Sequence, residues 1–402
     1  QGVHPRESIH RVPWLNVLVL IAAEICAMSL WFVSAAILPE ITAEANLSAT
    51  RAAALSAVVQ VGFVAGAILM AVHGTPDRLD PRRVFAASAI AAALCNFALL
   101  VTEPGGDVQI VLRGLTGFFL AGVYPVGMKI AIGWSQTQRG LLVGLLVGSL
   151  TLGTAAPHGL ALLGGANWRT TVVAAGVLAV CAGLMVLLTR LGPFHAVAPR
   201  FDPGALRLAW SHRPIRLAYA GYLCHMWELY AFWAWIAVAL TLSFEAAQHA
   251  DATHAARMTT FAAVALGGLL CVPAGSVADR WGKSRVAGLA MALSALAAFA
   301  TAFSFGGPPA LTILCVILWG AFVIPDSAQF SAMVADAATP ERAGSLLALQ
   351  TALGFMLTAF TVQATPMVAA AIGWPETLML LGLGPVLGVE AMRRHVRLKR
   401  AV

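Results

Sequence analysis

The sequence predicts an all-α membrane protein with twelve transmembrane helices, arranged as two pseudo-symmetric six-helix bundles. Three observations predict it. Hydrophobic residues make up 59% of the 402 residues and charged residues only 11%, with a mean hydropathy of +0.82. A water-soluble domain carries about 25% charged residues, so most of this surface has to face lipid. The apolar sequence also divides into stretches of roughly 20 residues, the length that crosses a hydrocarbon core. Finally, the chain echoes itself at about half its length, the mark of a duplicated bundle.

The spans read, in order, as 14–38, 50–72, 83–102, 107–132, 139–163 and 168–191, then 215–243, 255–277, 284–304, 309–335, 342–369 and 374–394. Between the two sets lies a polar stretch punctuated by Gly192-Pro193, Pro199-Arg200, Pro203-Gly204 and Arg213-Pro214. The expected organisation is an N-terminal bundle over 1–191, a cytoplasmic linker over 192–214 and a C-terminal bundle over 215–402. Span 4 carries Val123-Tyr124-Pro125 where span 10 carries Val323-Ile324-Pro325, and Arg139-Gly140 before span 5 answers Arg342-Ala343-Gly344 before span 11. Proline at these places removes a helix donor and is expected to break both spans. Gly140, Gly144 and Gly148 follow a four-residue spacing that lets a neighbouring helix approach closely.

The net charge is +7, and its distribution explains it. Threading the spans sends Arg78, Arg82, Arg83, Arg139, Arg190, Arg280, Lys283, Arg285, Arg342 and the basic run over 393–400 to one side. The other side keeps little beyond Arg51, Arg169 and Arg257. This is the positive-inside pattern of a bacterial-type inner membrane with both termini cytoplasmic, so no nucleic-acid partner is needed. The six cysteines all fall in apolar runs, against a disulfide framework. The chain opens at Gln1 without a Met or a cleavable signal pattern, and a few residues are expected to precede it. No phosphate-binding loop points to ATP drive, and no Ser-His-Asp or metal-hydrolase motif points to an enzyme. No cofactor is expected.

The half-length echo is sharpest in two charged turns. Gly275-Ser276-Val277-Ala278-Asp279-Arg280-Trp281-Gly282-Lys283 follows span 8, and His73-Gly74-Thr75-Pro76-Asp77-Arg78-Leu79-Asp80 follows span 2, with the Asp-Arg pairs 202 residues apart. The pattern Gly-x-x-x-Asp-Arg-x-Gly-Lys resembles the signature loop of the major facilitator superfamily. The second copy matches throughout; the first has His73 and Asp80 in place of the two glycines. The resemblance implies the major facilitator fold, secondary transport by alternating access, and a solute site between the bundles lined by spans 1, 4, 7 and 10. It implies too that Asp77, Arg78, Asp279, Arg280 and Lys283 belong to conformational latches. Arg113-x-x-Thr116-Gly117 resembles the span-4 arginine motif implicated in proton coupling. The span-5 exporter motif of the same superfamily is not met, because Pro157 is shifted in Gly153-Thr154-Ala155-Ala156-Pro157-His158-Gly159; import is favoured.

A charge at the centre of a span costs about 2.5–3.5 kcal/mol on insertion scales and so asks for a function. Glu24, Arg113, Lys129, Glu228 and Asp326 are such charges, and His158 and His225 join them. Helical spacing puts Glu24, Met28 and Trp31 on one face of span 1, and His225 and Glu228 on one face of span 7, close enough to hydrogen-bond along the helix. A carboxylate beside an imidazole in low dielectric is suited to bind a proton. Trp227 and Tyr230 flank Glu228, and aromatic faces beside an acid suit a cationic or polar solute, while Trp233 reads as part of an interfacial belt. Tyr124 and His158 complete the candidate site. The resulting expectation is a monomeric, proton-coupled transporter of a small polar or cationic solute in the lipid bilayer. Two alternatives stand beside it. One is a copper importer using the soft donors Cys224, His225, Met226, His254 and Met258, a pattern similar to one branch of the superfamily. The other is a membrane sensor that binds a ligand without moving it.

Overall fold

The computed structural model describes residues 12–73, 75–135, 138–165, 167–195, 202 and 204–400. Among these residues there are helices and connecting turns but no strand.

The first crossing is interrupted: α1 (Trp14–Met28), α2 (Val33–Ala36) and α3 (Leu38–Ala45) follow one another with a turn after Met28. The second is α4 (Ala49–His73), followed by the short α5 (Thr75–Arg78), and α6 (Pro81–Ala98) is the third. The fourth is split into α7 (Asp107–Leu120) and α8 (Tyr124–Ile132), and α9 (Arg139–Gly164) and α10 (Trp168–Val186) follow. A short helix, α11 (Gly204–Ser211), then leads into α12 (Arg213–Ala246), α13 (Ala252–Trp281) and α14 (Lys283–Ser304). The tenth crossing is split again, into α15 (Pro309–Val323) and α16 (Ser327–Ala337), before α17 (Pro340–Ile372) and α18 (Trp374–Arg400). Ten of these crossings are long and apolar enough to span a membrane by length and composition alone. The broken first crossing and α18, whose end carries Glu390, Arg393 and Arg394, complete the twelve. An even number of crossings returns the chain to the side where it began; that side is the terminal end below, and the opposite side the distal end.

The splits in the fourth and tenth crossings sit where the sequence places Pro125 and Pro325. The split in the first crossing has no proline. There Trp31 N–H bonds only three residues back, to Met28 O at 3.0 Å, and the carbonyls of Leu30 and Trp31 are freed from the helix ladder. Of the linker, residues 196–201 and 203 lie outside the described residues. The described part holds α11 and Asp202, whose carboxylate accepts from Arg342 Nε at 2.9 Å and whose N–H donates to Ser345 Oγ at 2.8 Å. The linker therefore packs onto the start of α17, which a reading of it as a plain polar connection does not anticipate.

The glycine spacing in α9 has a packing role. A Cβ at Gly148 would come within 2.7 Å of Gly268 O on α13, and one at Gly268 within 3.0 Å of Gly148 O. Only two glycines permit backbones this close.

Candidate functional site

Four of the five span charges are fully enclosed, and the helix breaks decide what surrounds them. Glu24 on α1 is 0% exposed, and neither carboxylate oxygen has a hydrogen-bond partner among the described residues. It rests against α8, where a Cβ at Gly127 would lie 2.5 Å from Oε2; glycine there makes the room. Tyr124, at the start of α8, stands within electrostatic range of Glu24, Tyr222 and Cys271.

Asp326 occupies the break of the tenth crossing, so its carboxylate is presented from an interrupted helix end. Its Oδ1 lies 2.9 Å from His225 Nδ1. The imidazole is itself fully buried, packs 5.7 Å from Phe330 and 6.3 Å from Tyr222 by ring centroids, and its Nε2 has no partner among the described residues. Cys271 is within electrostatic range of Asp326. Glu24 and Tyr124 of the first six crossings and Cys271 and Asp326 of the last six thus lie in successive electrostatic range, and Asp326 meets His225.

Glu228 corrects the sequence reading. It does not hydrogen-bond to His225. Ser294 Oγ donates to its Oε1 at 2.6 Å and Trp319 Nε1 to its Oε2 at 3.0 Å, so α12, α14 and α15 share it. Three residues of helix advance 300°, leaving the two side chains about 60° apart; that is enough for His225 to face Asp326 at the start of α16 while Glu228 faces α14 and α15. Neither Ser294 nor Trp319 was legible as a partner, because both are ordinary residues of apolar runs.

Arg113 is held by main chain. Its guanidinium donates to Leu30 O at 2.9 Å, Trp31 O at 2.5 Å and Leu55 O at 3.4 Å. It caps the broken first crossing and ties it to α4, and its partners among the described residues are all backbone carbonyls.

Toward the distal end an aromatic layer joins the two sets of crossings. Trp31 meets Phe63 at 4.9 Å, Phe355 at 5.5 Å and Tyr230 at 5.8 Å, and Phe63 meets Phe355 at 4.5 Å. Trp233 belongs to this layer, 5.1 Å from Tyr230 and 1% exposed, and is not part of an interfacial belt. The turn after Met28 carries Trp31 into the layer, while Met28 packs against Gly153 of α9; the expected shared face of Glu24, Met28 and Trp31 is broken with the helix. Trp31 Nε1, Trp233 Nε1 and both amide atoms of Gln60 are buried without partners among the described residues. Gln60 is a further candidate that sequence reasoning missed, although a lone amide in an apolar run is a usable signal. Trp227 faces away and donates to Leu380 O of α18 at 3.0 Å.

The distal end is shut by Arg257 of α13. It pairs with Glu40 of α3 and donates through Nη2 to Ala36 O at 3.0 Å, and the buried His158 of α9 lies within its electrostatic range. Nearby, Glu44 accepts from Arg169 Nη2 at 2.8 Å and Trp168 Nε1 at 2.6 Å. The Arg169 and Trp168 hydrogen bonds hold its carboxyl below the usual range. Gln363 of α17 adds a bond to Thr50 O at 3.2 Å. A charge-assisted bond of the Arg257 kind contributes about 1.5–3 kcal/mol. Arg257→Ala is therefore expected to raise labelling of an Ala36→Cys probe by a membrane-impermeant thiol reagent by about tenfold or more. Unchanged labelling would show that this pair does not hold the distal end.

The soft-donor set does not converge. Met226 is buried in α12, whereas His254 and Met258 are exposed at the distal start of α13, and Cys224 turns to Gly384 and Gly388 of α18. Among the described residues no three His, Cys, Asp or Glu side chains gather to hold a metal.

In the terminal-end loops, Lys283 pairs with Asp336 of α16 at 2.6 Å. Asp279 and Arg280 are exposed, and Asp279 has no partner among the described residues. The side chain of Asp77 lies outside the described residues, and Arg78 is exposed. Asp80, which replaces a loop glycine, caps α6 by accepting from Arg82 N–H at 2.9 Å, and pairs with Arg82 Nη2 at 2.6 Å. That pairing holds its carboxyl below the usual range.

Comparison with known proteins agrees with this architecture. The family model described as Major Facilitator Superfamily matches residues 20–271. No curated protein matches the chain by sequence. Among solved structures, a bacterial homolog to the human lysosomal transporter Spinster, inward-facing and unoccupied, is similar with a TM-score of 0.74 at 12% identity, covering 98% of this chain and 99% of that one. The nucleoside transporter NupG gives a TM-score of 0.71 at 14% identity over 95% of this chain and 99% of its own. A partially occluded inward-open form of the xylose transporter XylE from E. coli gives 0.70 at 14% over 94% and 98%. At these identities the structures share the fold, while the sequence match spans more than half of the chain. This protein is an integral membrane protein that belongs to the Major Facilitator Superfamily of transporters.

Proposed function

We propose that the chain is a proton-coupled secondary transporter of a small polar or cationic solute, working by alternating access between units at 1–191 and 215–402 joined through 192–214, with import as its direction. The observation that carries this reading is the enclosed Glu24 carboxylate, with neither oxygen partnered among the described residues, in electrostatic range of Tyr124, from which Cys271 leads to Asp326 and His225. A carboxylate in a low-dielectric interior without a cation is costly, and a proton or a cationic group of the solute removes that cost. Arg113 cannot serve, since backbone carbonyls occupy it. Tyr124 near Glu24, Tyr222 beside His225 and Tyr230 in range of both tyrosines supply hydroxyls and ring faces, which suits a polar or cationic solute.

The test is transport in proteoliposomes. Accumulation driven by an imposed pH difference, with substrate exchange measured in parallel, supports the reading; accumulation indifferent to the pH difference overturns proton coupling. Binding with neither exchange nor accumulation favours a ligand sensor.

Asp279 supplies a separate check. In the present arrangement its carboxylate has no partner among the described residues, so a latch role belongs to another state. Asp279→Asn is expected to leave folding unchanged and to shift the population toward the distal-closed arrangement, lowering the transport rate several-fold. Wild-type transport together with wild-type accessibility of terminal-end cysteines would rule the latch out.

A further inference from the structure

At the terminal end, α14 and α18 enclose a groove of about 380 Å³ that has no part in the solute site. Its floor is Gly288, where a Cβ would stand only 3.2 Å from Met392 Cβ, so the absent side chain lets the helices approach and leaves a trough beside them. Leu289 and Met392 line the trough, and Arg285, Arg393 and Arg397 rim it. Arg393 and Arg397 are four residues apart on one face of α18, and Arg285 is one turn before Leu289 on α14. Ser284, which also lines the groove, and His395 bring Oγ and Nδ1 to 2.7 Å and hold the two helices together.

Charge and apolar surface are arranged unequally here. Glu390 is the nearby acid, and it is engaged by Arg394 at 2.9 Å and by Arg393 at 3.5 Å. Arg285 and Arg397 form no ion pair among the described residues, with Arg397 only within electrostatic range of Glu390; Arg285 reaches Trp281 O, at 3.5 Å. From the rim toward the middle of the protein the exposed surface is apolar on both helices, with Leu289 and Leu296 on α14 and Leu383, Val386 and Leu387 on α18. Cations scattered for orientation alone would not be expected to converge over a glycine-floored trough that opens onto a hydrocarbon-facing track.

We propose that this groove binds an anionic phospholipid from the leaflet on the terminal side, with its phosphodiester between Arg285 and Arg397 and an acyl chain along the apolar track. Basic pockets between membrane helices recognise acidic headgroups in this way. The guanidinium fork matches phosphate oxygens geometrically, and the acyl chain gives the site its preference for a lipid over a free anion.

The test is native mass spectrometry of the full-length protein released from nanodiscs containing phosphatidylglycerol and phosphatidylcholine in equal amounts. The wild type is expected to retain phosphatidylglycerol selectively. Each cation near an anionic surface changes binding about fivefold, so Arg285→Gln with Arg397→Gln should lower that retention about 25-fold. Arg285→Lys with Arg397→Lys, which keeps the charge, should restore most of it. Arg394→Gln, which does not line the groove and pairs with Glu390, should change it little. A monodisperse peak and unchanged thermal unfolding establish that each variant is folded. Equal retention of the two lipids by the wild type overturns the proposal, as does an equal loss in Arg394→Gln, which would mean general attraction to an anionic surface. Displacement of the lipid by inorganic phosphate at matched concentration would overturn the lipid assignment.

Discussion

Glu24→Gln is expected to abolish pH-driven accumulation in proteoliposomes while preserving substrate exchange. One unit of pH difference corresponds to about 1.4 kcal/mol, so each coupled proton can support at most about tenfold accumulation per unit. The variant should fall to simple equilibration. Gln fills the same space against Gly127 but can neither release nor take up the proton. Asp326→Asn should behave similarly, with an added loss of the 2.9 Å contact to His225. Glu228→Gln serves as the contrast. Its site is already satisfied by Ser294 and Trp319 within one bundle, and it should still concentrate substrate. Accumulation that survives in Glu24→Gln and is lost in Glu228→Gln would reverse this assignment and restore the acid that sequence spacing singled out.

Arg113→Leu is expected to destabilise the fold by about 3 kcal/mol or more. The substitution orphans buried carbonyls at Leu30, Trp31 and Leu55, and each orphaned buried polar group costs about 1–3 kcal/mol; relief from burying the guanidinium offsets only part of that. Arg113→Lys keeps the charge but lacks the planar fork, so it should fall between the two. Denaturant or thermal unfolding in detergent measures the series. A Leu variant as stable as the parent, yet unable to couple transport to a proton gradient, would return Arg113 to the coupling role that its motif implies.

Much of this fold was legible because lipid imposes a strong constraint. A backbone that must satisfy itself inside hydrocarbon leaves helices as the available reading, and Pro125 and Pro325 announced two of the three broken crossings. The third was hidden, since the turn at 29–32 is held by Arg113 from 82 residues away along the chain and no local residue marks it. The charged candidates were legible from their cost in a span. Their partners were not, because helical spacing tells which residues share a face but not which neighbour that face meets. His225 and Glu228 show the limit: three residues apart, they serve different helices. Arg257 was readable only as one of the few cations on its side, and its pairing with Glu40 joins elements more than 200 residues apart.

The contact between Gly148 and Gly268 bears on how the two sets of crossings could move. Where helices meet through interlocked side chains, rotation about the contact forces each knob out of its hole, and the barrier is set by repacking. Two bare backbones have nothing to disengage. Spans 5 and 8 can roll against each other there like the faces of a bearing, with little change in buried area. The resistance to opening is then concentrated away from this fulcrum, in the Arg257 pair and the aromatic layer, and substitutions at those places should set the speed of the cycle. A larger residue at Gly148 or Gly268 would seize the bearing itself.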